Sequence, residues 1–144
     1  MANPKTGISS KGRTMHYSVG AVIERSGKYL LIDRVKSPPG FAGLAGHIDE
    51  GEDEIPALLR EVEEESGLRV VRHRLLFEEE IDWNRCSKSV RTHYWYLFSC
   101  EVEGDISQNA RETRSIDWYP SSEIRELRLE SVWKYWFDKL GVTP

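Results

Sequence analysis

Three glutamates, Glu61, Glu64 and Glu65, stand at positions i, i+3 and i+4. On a helix that turns 100° per residue, this spacing gathers them within about a third of a turn. Like charges placed so close destabilise a bare helix by about 0.2–0.5 kcal/mol per pair, and a bound cation removes that cost. Carboxylate oxygens suit a hard divalent ion, Mg²⁺ with Mn²⁺ as a substitute. With waters and phosphate oxygens completing its shell, such an ion activates water against a phosphoanhydride and neutralises charge on the leaving phosphate.

The glutamates end a stretch, Asp49 to Glu65, in which nine of seventeen residues are acidic. That density repels nucleic-acid phosphates, so stable nucleic-acid binding is not expected. The spacing predicts a helix from Asp53 to Ser66. Asp53 is its N-cap, Pro56 lies in the first turn, and Gly67 is the C-terminal stop. Ile55, Leu58, Leu59 and Val62 recur at helical spacing and are expected to face the core. Before this helix, Thr14 to Ile23 and Tyr29 to Ile32 read as a hairpin turning at Ser26-Gly27. Ser37-Pro-Pro-Gly40 then opens a loop running to about Gly51.

After the helix, Leu68 to Val71, Leu75 to Ile81, His93 to about Val102, and Ile116 to Tyr119 read as strands. A short helix opens at Pro120, and a last one spans Glu130 to Leu140 with Val132, Trp133, Trp136, Phe137 and Leu140 on its apolar side. Strands interrupted by one central and one terminal helix imply an α/β sandwich with a mixed sheet. Residues 1–13 are polar and read as a flexible leader, leaving 14–144 as a single domain. With no apolar run near the ~20 residues of a membrane span and no apolar leader core, a cytoplasmic protein is expected. Cys86 and Cys100 are far apart with no C-x-x-C pair, so both read as packing or surface thiols.

The segment Gly46-His-Ile-Asp-Glu-Gly-Glu52, followed after seven residues by Arg60-Glu-Val-Glu-Glu-Glu-Ser-Gly-Leu68, resembles the Nudix box, G-x5-E-x7-R-E-U-x-E-E-x-G-U. Gly46, Glu52, Arg60, Glu61, Val62, Glu64, Glu65, Gly67 and Leu68 fill every specified position. At about 7% usage per residue type, a chance match falls far below about one in a million. The resemblance implies the Nudix α/β/α sandwich, with a central catalytic loop–helix–loop and a C-terminal helix. It implies a hydrolase of phosphoanhydride bonds in which Glu61, Glu64 and Glu65 bind the divalent metal. Arg60 and Glu52 are then a supporting pair, Gly46 lets the backbone turn close to the metal, and Gly67 ends the helix. Many members add a carboxylate from beyond the box. Glu112, six residues before Trp118 as in MutT-type members, is the candidate, with Glu79, Glu80 and Asp82 as alternatives.

MutT-like members commonly carry Leu-Pro-Gly-Gly where this chain has Leu44-Ala45-Gly46-His47. His47 reads as a surface or loop-packing residue, with a phosphate contact as the alternative. Arg34 and Lys36 are placed to meet phosphates. Phe41, Trp83, Trp95, Trp118 and Trp133 are candidate stacking surfaces, of which only one or two are expected near a base. The region Ile81 to Cys86 lacks the proline of ADP-ribose-type members and the tyrosine of diadenosine-polyphosphate members. No coenzyme A signature is present either. By elimination the resemblance points to a MutT-like (d)NTP pyrophosphatase releasing NMP and pyrophosphate. Nucleotide-sugar, ADP-ribose and dinucleoside-polyphosphate hydrolysis are the alternatives. A catalytically silent nucleotide-binding module is the non-enzymatic one, disfavoured because all box glutamates are kept. The expected partner is a small-molecule nucleotide. A homodimer is possible within such a family, with Trp133, Trp136 and Phe137 packing either internally or at its interface.

Overall fold

A computed structural model describes residues 3–34, 39–84, 90–107 and 113–142, the side chains of 113 and 114 excepted. In chain order the elements are β1 (Thr6–Ile8), β2 (Thr14–Arg25), β3 (Lys28–Arg34), β4 (Gly40–Ala42), β5 (Leu44–His47) and α1 (Glu54–Ser66). They continue with β6 (Arg69–Ile81), β7 (Thr92–Glu103), β8 (Thr113–Pro120), α2 (Ser121–Ile124) and α3 (Ser131–Leu140).

Long β2 is the hub. It pairs antiparallel with β1, β3 and β5, and parallel with β7. β6 closes one side against β7, while β4 and β8 flank β3. The sheet is therefore mixed, as expected from strands interrupted by helices. Its hairpin turns at Ser26 and Gly27, with φ of 53° and 78°. Positive φ at both central positions suits a two-residue turn whose twist matches the flanking strands.

Three expectations change. The segment read as a loop from Ser37 to Gly51 carries β4 and β5. Their small residues give no strand signal of their own, and pairing with β3 and β2 makes them strands. The two strands expected either side of Arg72-His-Arg74 are one strand, β6, whose register shifts between Val70/Arg72 and Leu75/Phe77 break the local alternation. Residues 3–13, expected as a flexible leader, hold β1 against β2. The same segment is bonded to the box loop, with Lys5 N donating to Ile48 O at 2.8 Å and Glu50 N to Asn3 O at 2.9 Å.

Helix α1 begins after Asp53 and ends at Gly67, whose φ of 76° is the left-handed stop that glycine adopts freely. Ala57, Leu58 and Val62 are buried, but Leu59 is 41% exposed rather than core. On the wheel Leu59 lies 100° beyond Leu58, off the stripe that packs against the sheet. The tryptophans of α3 pack internally: Trp133, Trp136 and Phe137 are all buried. Gly20 and Gly43 make room for Trp133, since a Cβ on Gly43 would stand 2.5 Å from its ring. Among the described residues no helix is long and apolar enough to cross a membrane.

Candidate active site on the acidic face of helix α1

Arg60 organises the acidic face. Its Nε donates to Glu52 Oε2 at 2.8 Å and its Nη2 to Glu52 Oε1 at 2.9 Å, a two-pronged grip that matches guanidinium to carboxylate. Its Nη1 donates to Glu61 Oε1 at 2.8 Å and reaches Glu64 Oε2 at 3.4 Å. Nη2 also donates to the His47 carbonyl at 3.0 Å and lies 3.3 Å from Asp49 Oδ2. One cation thus spans four carboxylates and the end of β5. The Arg60 hydrogen bond holds the Glu52 carboxyl below its ordinary pKa, and the same bond raises that of Arg60. Glu52 Oε1 additionally accepts from Asp49 N at 3.0 Å, tightening the loop between β5 and α1.

Glu65 is treated differently. It is buried and accepts from the backbone N–H of Ala45 at 3.1 Å, tying the last turns of α1 to β5. Gly46 lies in strand β5 rather than in a turn. A Cβ there would collide with the carboxylate of Glu61, so the glycine is needed for close approach of side chain to backbone. Glu64 is the most exposed of the three, with 57% of its side chain in solvent.

Glu61 and Glu64 therefore meet on Arg60, and Glu65 turns to β5. Among the described residues, the one group of metal-type ligand atoms that converges on a point is instead His16, His47 and His93. His47, a candidate phosphate contact from its place in the box, packs its ring against the other two. His16 and His93 carry no local signal. They meet because β2 and β7 pair in parallel with these two residues in register.

Of the remaining candidates, half-buried Arg34 ends β3, close enough to Glu130 to favour its charged form. Phe41 is half-buried, edge-on to Tyr119 at 5.8 Å. Lys36, Glu112 and Cys86 lie outside the described residues. Cys100 is buried in the core, which pushes its thiol up to about 12. The alternatives to Glu112 are otherwise engaged: Glu79 with Tyr135 and Lys139, Glu80 with Ser10, and Asp82 with Lys11. Trp95 and Trp133 are buried core, and Trp118 packs under Arg25 at 5.0 Å. Trp83 is 48% exposed and meets Tyr135 edge to face at 5.5 Å.

The NUDIX domain model matches residues 14–140. Among solved structures, the chain is similar to a NUDIX hydrolase from Nitrosomonas europaea at 27% identity. That match covers 81% of this chain and 78% of the other, with a TM-score of 0.64. It is also similar to a MutT NUDIX hydrolase from Burkholderia pseudomallei, at 22% identity over 75% and 84% of the two chains, with a TM-score of 0.66. A MutT protein from Methanosarcina mazei shares the fold at a TM-score of 0.72 and 19% identity, covering 87% and 91%. No curated protein matches the sequence. With the family model spanning almost the whole chain, this protein belongs to the NUDIX family and is a hydrolase acting on phosphoanhydride bonds.

Proposed function

We propose that the chain is a Mg²⁺-dependent pyrophosphohydrolase of a nucleoside diphosphate linked to another moiety. The leading substrate is a (d)NTP, cleaved to NMP and pyrophosphate. The observation that carries this reading is the Arg60 hub, which holds Glu61 and Glu64 beside β5 on the same helical face as Glu65. The donor set is all oxygen and anionic, which fits Mg²⁺ with Mn²⁺ as substitute.

In this reading Glu61, Glu64 and Glu65 hold the ion. The ion supplies Lewis-acid charge stabilisation and lowers the pKa of bound water. The rest is positioning by the protein. Arg60, braced by Glu52, fixes where the carboxylates of Glu61 and Glu64 point. Glu65 fixes the distance between α1 and β5 through Ala45 N. Gly46 keeps that gap free of side-chain atoms. Glu112 is the proposed additional carboxylate, either a ligand or the base that takes a proton from water. Arg34 and Lys36 are proposed to face substrate phosphates, and Phe41 the base. A cytoplasmic enzyme working on free nucleotides suits the acidic face, which disfavours long nucleic-acid chains.

The test is a substrate panel with Mg²⁺ and separately Mn²⁺, covering canonical and oxidised (d)NTPs, ADP-ribose, nucleotide sugars and dinucleoside polyphosphates. Turnover confined to (d)NTPs, with NMP and pyrophosphate as products, supports the proposal. Turnover of another class replaces the substrate while keeping the chemistry. Glu64→Gln is the sharpest control, because its exposed side chain can change with little effect on folding. A loss of kcat by two orders of magnitude or more is expected, and retained kcat rejects the metal assignment.

A further inference from the structure

Across β5 from the acidic face, a second constellation has no part in the hydrolysis described above. Three of the four histidines of the chain, His16 on β2, His47 on β5 and His93 on β7, place one ring nitrogen each within 4.8 Å of the others. We propose that they form a three-histidine site for a transition-metal dication of the Zn²⁺ class, distinct from the carboxylate site on α1.

The geometry is close to what such an ion demands. Tetrahedral coordination with Zn–N of about 2.0–2.1 Å puts ligand nitrogens about 3.3 Å apart and ring centroids about 5 Å apart. The ring centroids here are separated by 4.8, 5.8 and 5.9 Å. The nitrogens, up to 4.8 Å apart, must draw in by about 1.5 Å on binding, a side-chain adjustment, since the backbone already holds the three residues together. His16 faces His93 across the parallel β2–β7 pair, and His47 faces Ser18 across the antiparallel β2–β5 pair. Ser18 and His16 share a face of β2, so all three rings project from the same side of the sheet.

Burial supports a ligand role over plain packing. His93 is 2% exposed, and its ring approaches the backbone of Arg91 and Asn84 without a well-aligned hydrogen bond at either nitrogen, an uncommon condition for a buried polar group. Burial, and then the neighbouring His16, lower its pKa to about 4, although the backbone at Arg91 and Asn84 favours its charged form. The imidazole is therefore neutral at ordinary pH, the form that binds metal. His16 is also buried, while His47 is half-buried and leaves an approach from solvent. Imidazole donors select Zn²⁺, Cu²⁺, Ni²⁺ or Co²⁺ over Mg²⁺. The two faces of β5 thus differ in metal preference: alternation aims Gly46 at Glu61 and His47 at the histidines.

The experiment uses the full chain, stripped with a chelator and given one equivalent of Co²⁺ in millimolar Mg²⁺. The expected result is the strong visible absorption of a four- or five-coordinate, nitrogen-ligated Co²⁺ ion, abolished by one equivalent of Zn²⁺. One zinc per chain should survive desalting. His47→Gln, at the half-exposed ligand, should weaken zinc binding at least tenfold, whereas Glu64→Gln should leave it unchanged. A weak octahedral Co²⁺ spectrum, displacement by Mg²⁺, or zinc retention equal in His47→Gln and wild type would overturn the site. The wild-type spectrum decides the question even if His47→Gln fails to fold.

Discussion

The two faces of the sheet handle ionisable side chains in opposite ways. On the α1 face, charge is kept and shared: Glu52, Glu61, Glu64 and Asp49 gather round Arg60 at partly exposed positions. On the α3 face, charge is suppressed at the buried positions, while the rim keeps an ion pair, Lys139 with Glu79 at 2.6 Å. His93 is buried and neutral, and burial raises the pKa of Glu130 despite hydrogen bonds from Asn84 Nδ2 at 2.7 Å and Val132 N at 3.3 Å. The difference follows from what covers each face. One is a helix whose acidic side meets water, the other a helix whose Trp133, Trp136 and Phe137 exclude it. The proposed phosphate site lies on the first, where charges are already compensated and still accessible.

The largest expected effect comes from deleting the shared cation. Arg60→Ala leaves several carboxylates facing one another without compensation. Breaking a fully buried pair costs about 3–5 kcal/mol. Since the Arg60 side chain is 26% exposed, about 2–4 kcal/mol is expected, or roughly 5–12 °C in Tm. Urea unfolding measures this directly. Arg69→Ala, at the exposed pair with Glu103, should stay within about 0.5 kcal/mol. Equal effects from the two variants would abolish the contrast between a shared cation and an ordinary surface pair.

A pair of glycines sharpens the same comparison. Gly46→Ala drives a methyl into the Glu61 carboxylate, while Gly43→Ala drives one into the Trp133 ring. Both overpack, at about 1–3 kcal/mol. Only Gly46→Ala moves a proposed ligand, and displacement by about 1 Å can cost about 100-fold in rate. The expected split is a kcat loss near that size for Gly46→Ala. Gly43→Ala should lose stability with its kcat nearly intact at a temperature where it stays folded. Parallel losses of kcat in both would mean that Gly46 serves packing alone.

Much of the α1 face is legible from sequence, because its determinants are local. Helix caps, the i, i+3, i+4 glutamates and the box spacing all fall within 23 consecutive residues, Gly46 to Leu68. What stayed hidden is made by pairing between distant segments. Strands β4 and β5 are short and rich in Gly and Ala, so only their partners make them strands. The bracing of the box loop by Asn3 and Lys5 follows from the bridge between Pro4 and Asp49, which no polar leader announces. His16 and His93 come together through parallel register, a relation without trace in either local sequence. Leu59 shows the reverse error, a helical periodicity read one position too wide.

The smallest effect tests the α3 face through Glu130. Its pKa is raised by burial, so the folded protein binds a proton there more tightly than the unfolded chain, whose glutamates titrate near about 4.3. The sign follows from linkage: this stabilisation is present at low pH and is lost as pH rises through the folded pKa. His93 acts in the opposite sense. Lowered to about 4, it contributes stability above about 6.5 that is lost as pH falls toward 4. The wild-type pH profile superposes the two, so Glu130 must be isolated by difference. Glu130→Gln keeps an acceptor for Asn84 and Val132, and trading charged for neutral hydrogen bonds costs about 1 kcal/mol, offset by the relief of burying a charge. Near pH 5 the variant should therefore equal or fall slightly below wild type. As pH rises it should gain on wild type, because only wild type carries a buried carboxyl whose ionisation costs stability. Urea unfolding of both proteins at pH 5 and pH 8 measures that difference. A variant that instead loses ground between pH 5 and pH 8 would show that Glu130 is stabilised as an anion by Arg34 and Asn84. The buried part of the α3 face would then keep its charge paired, as the α1 face does.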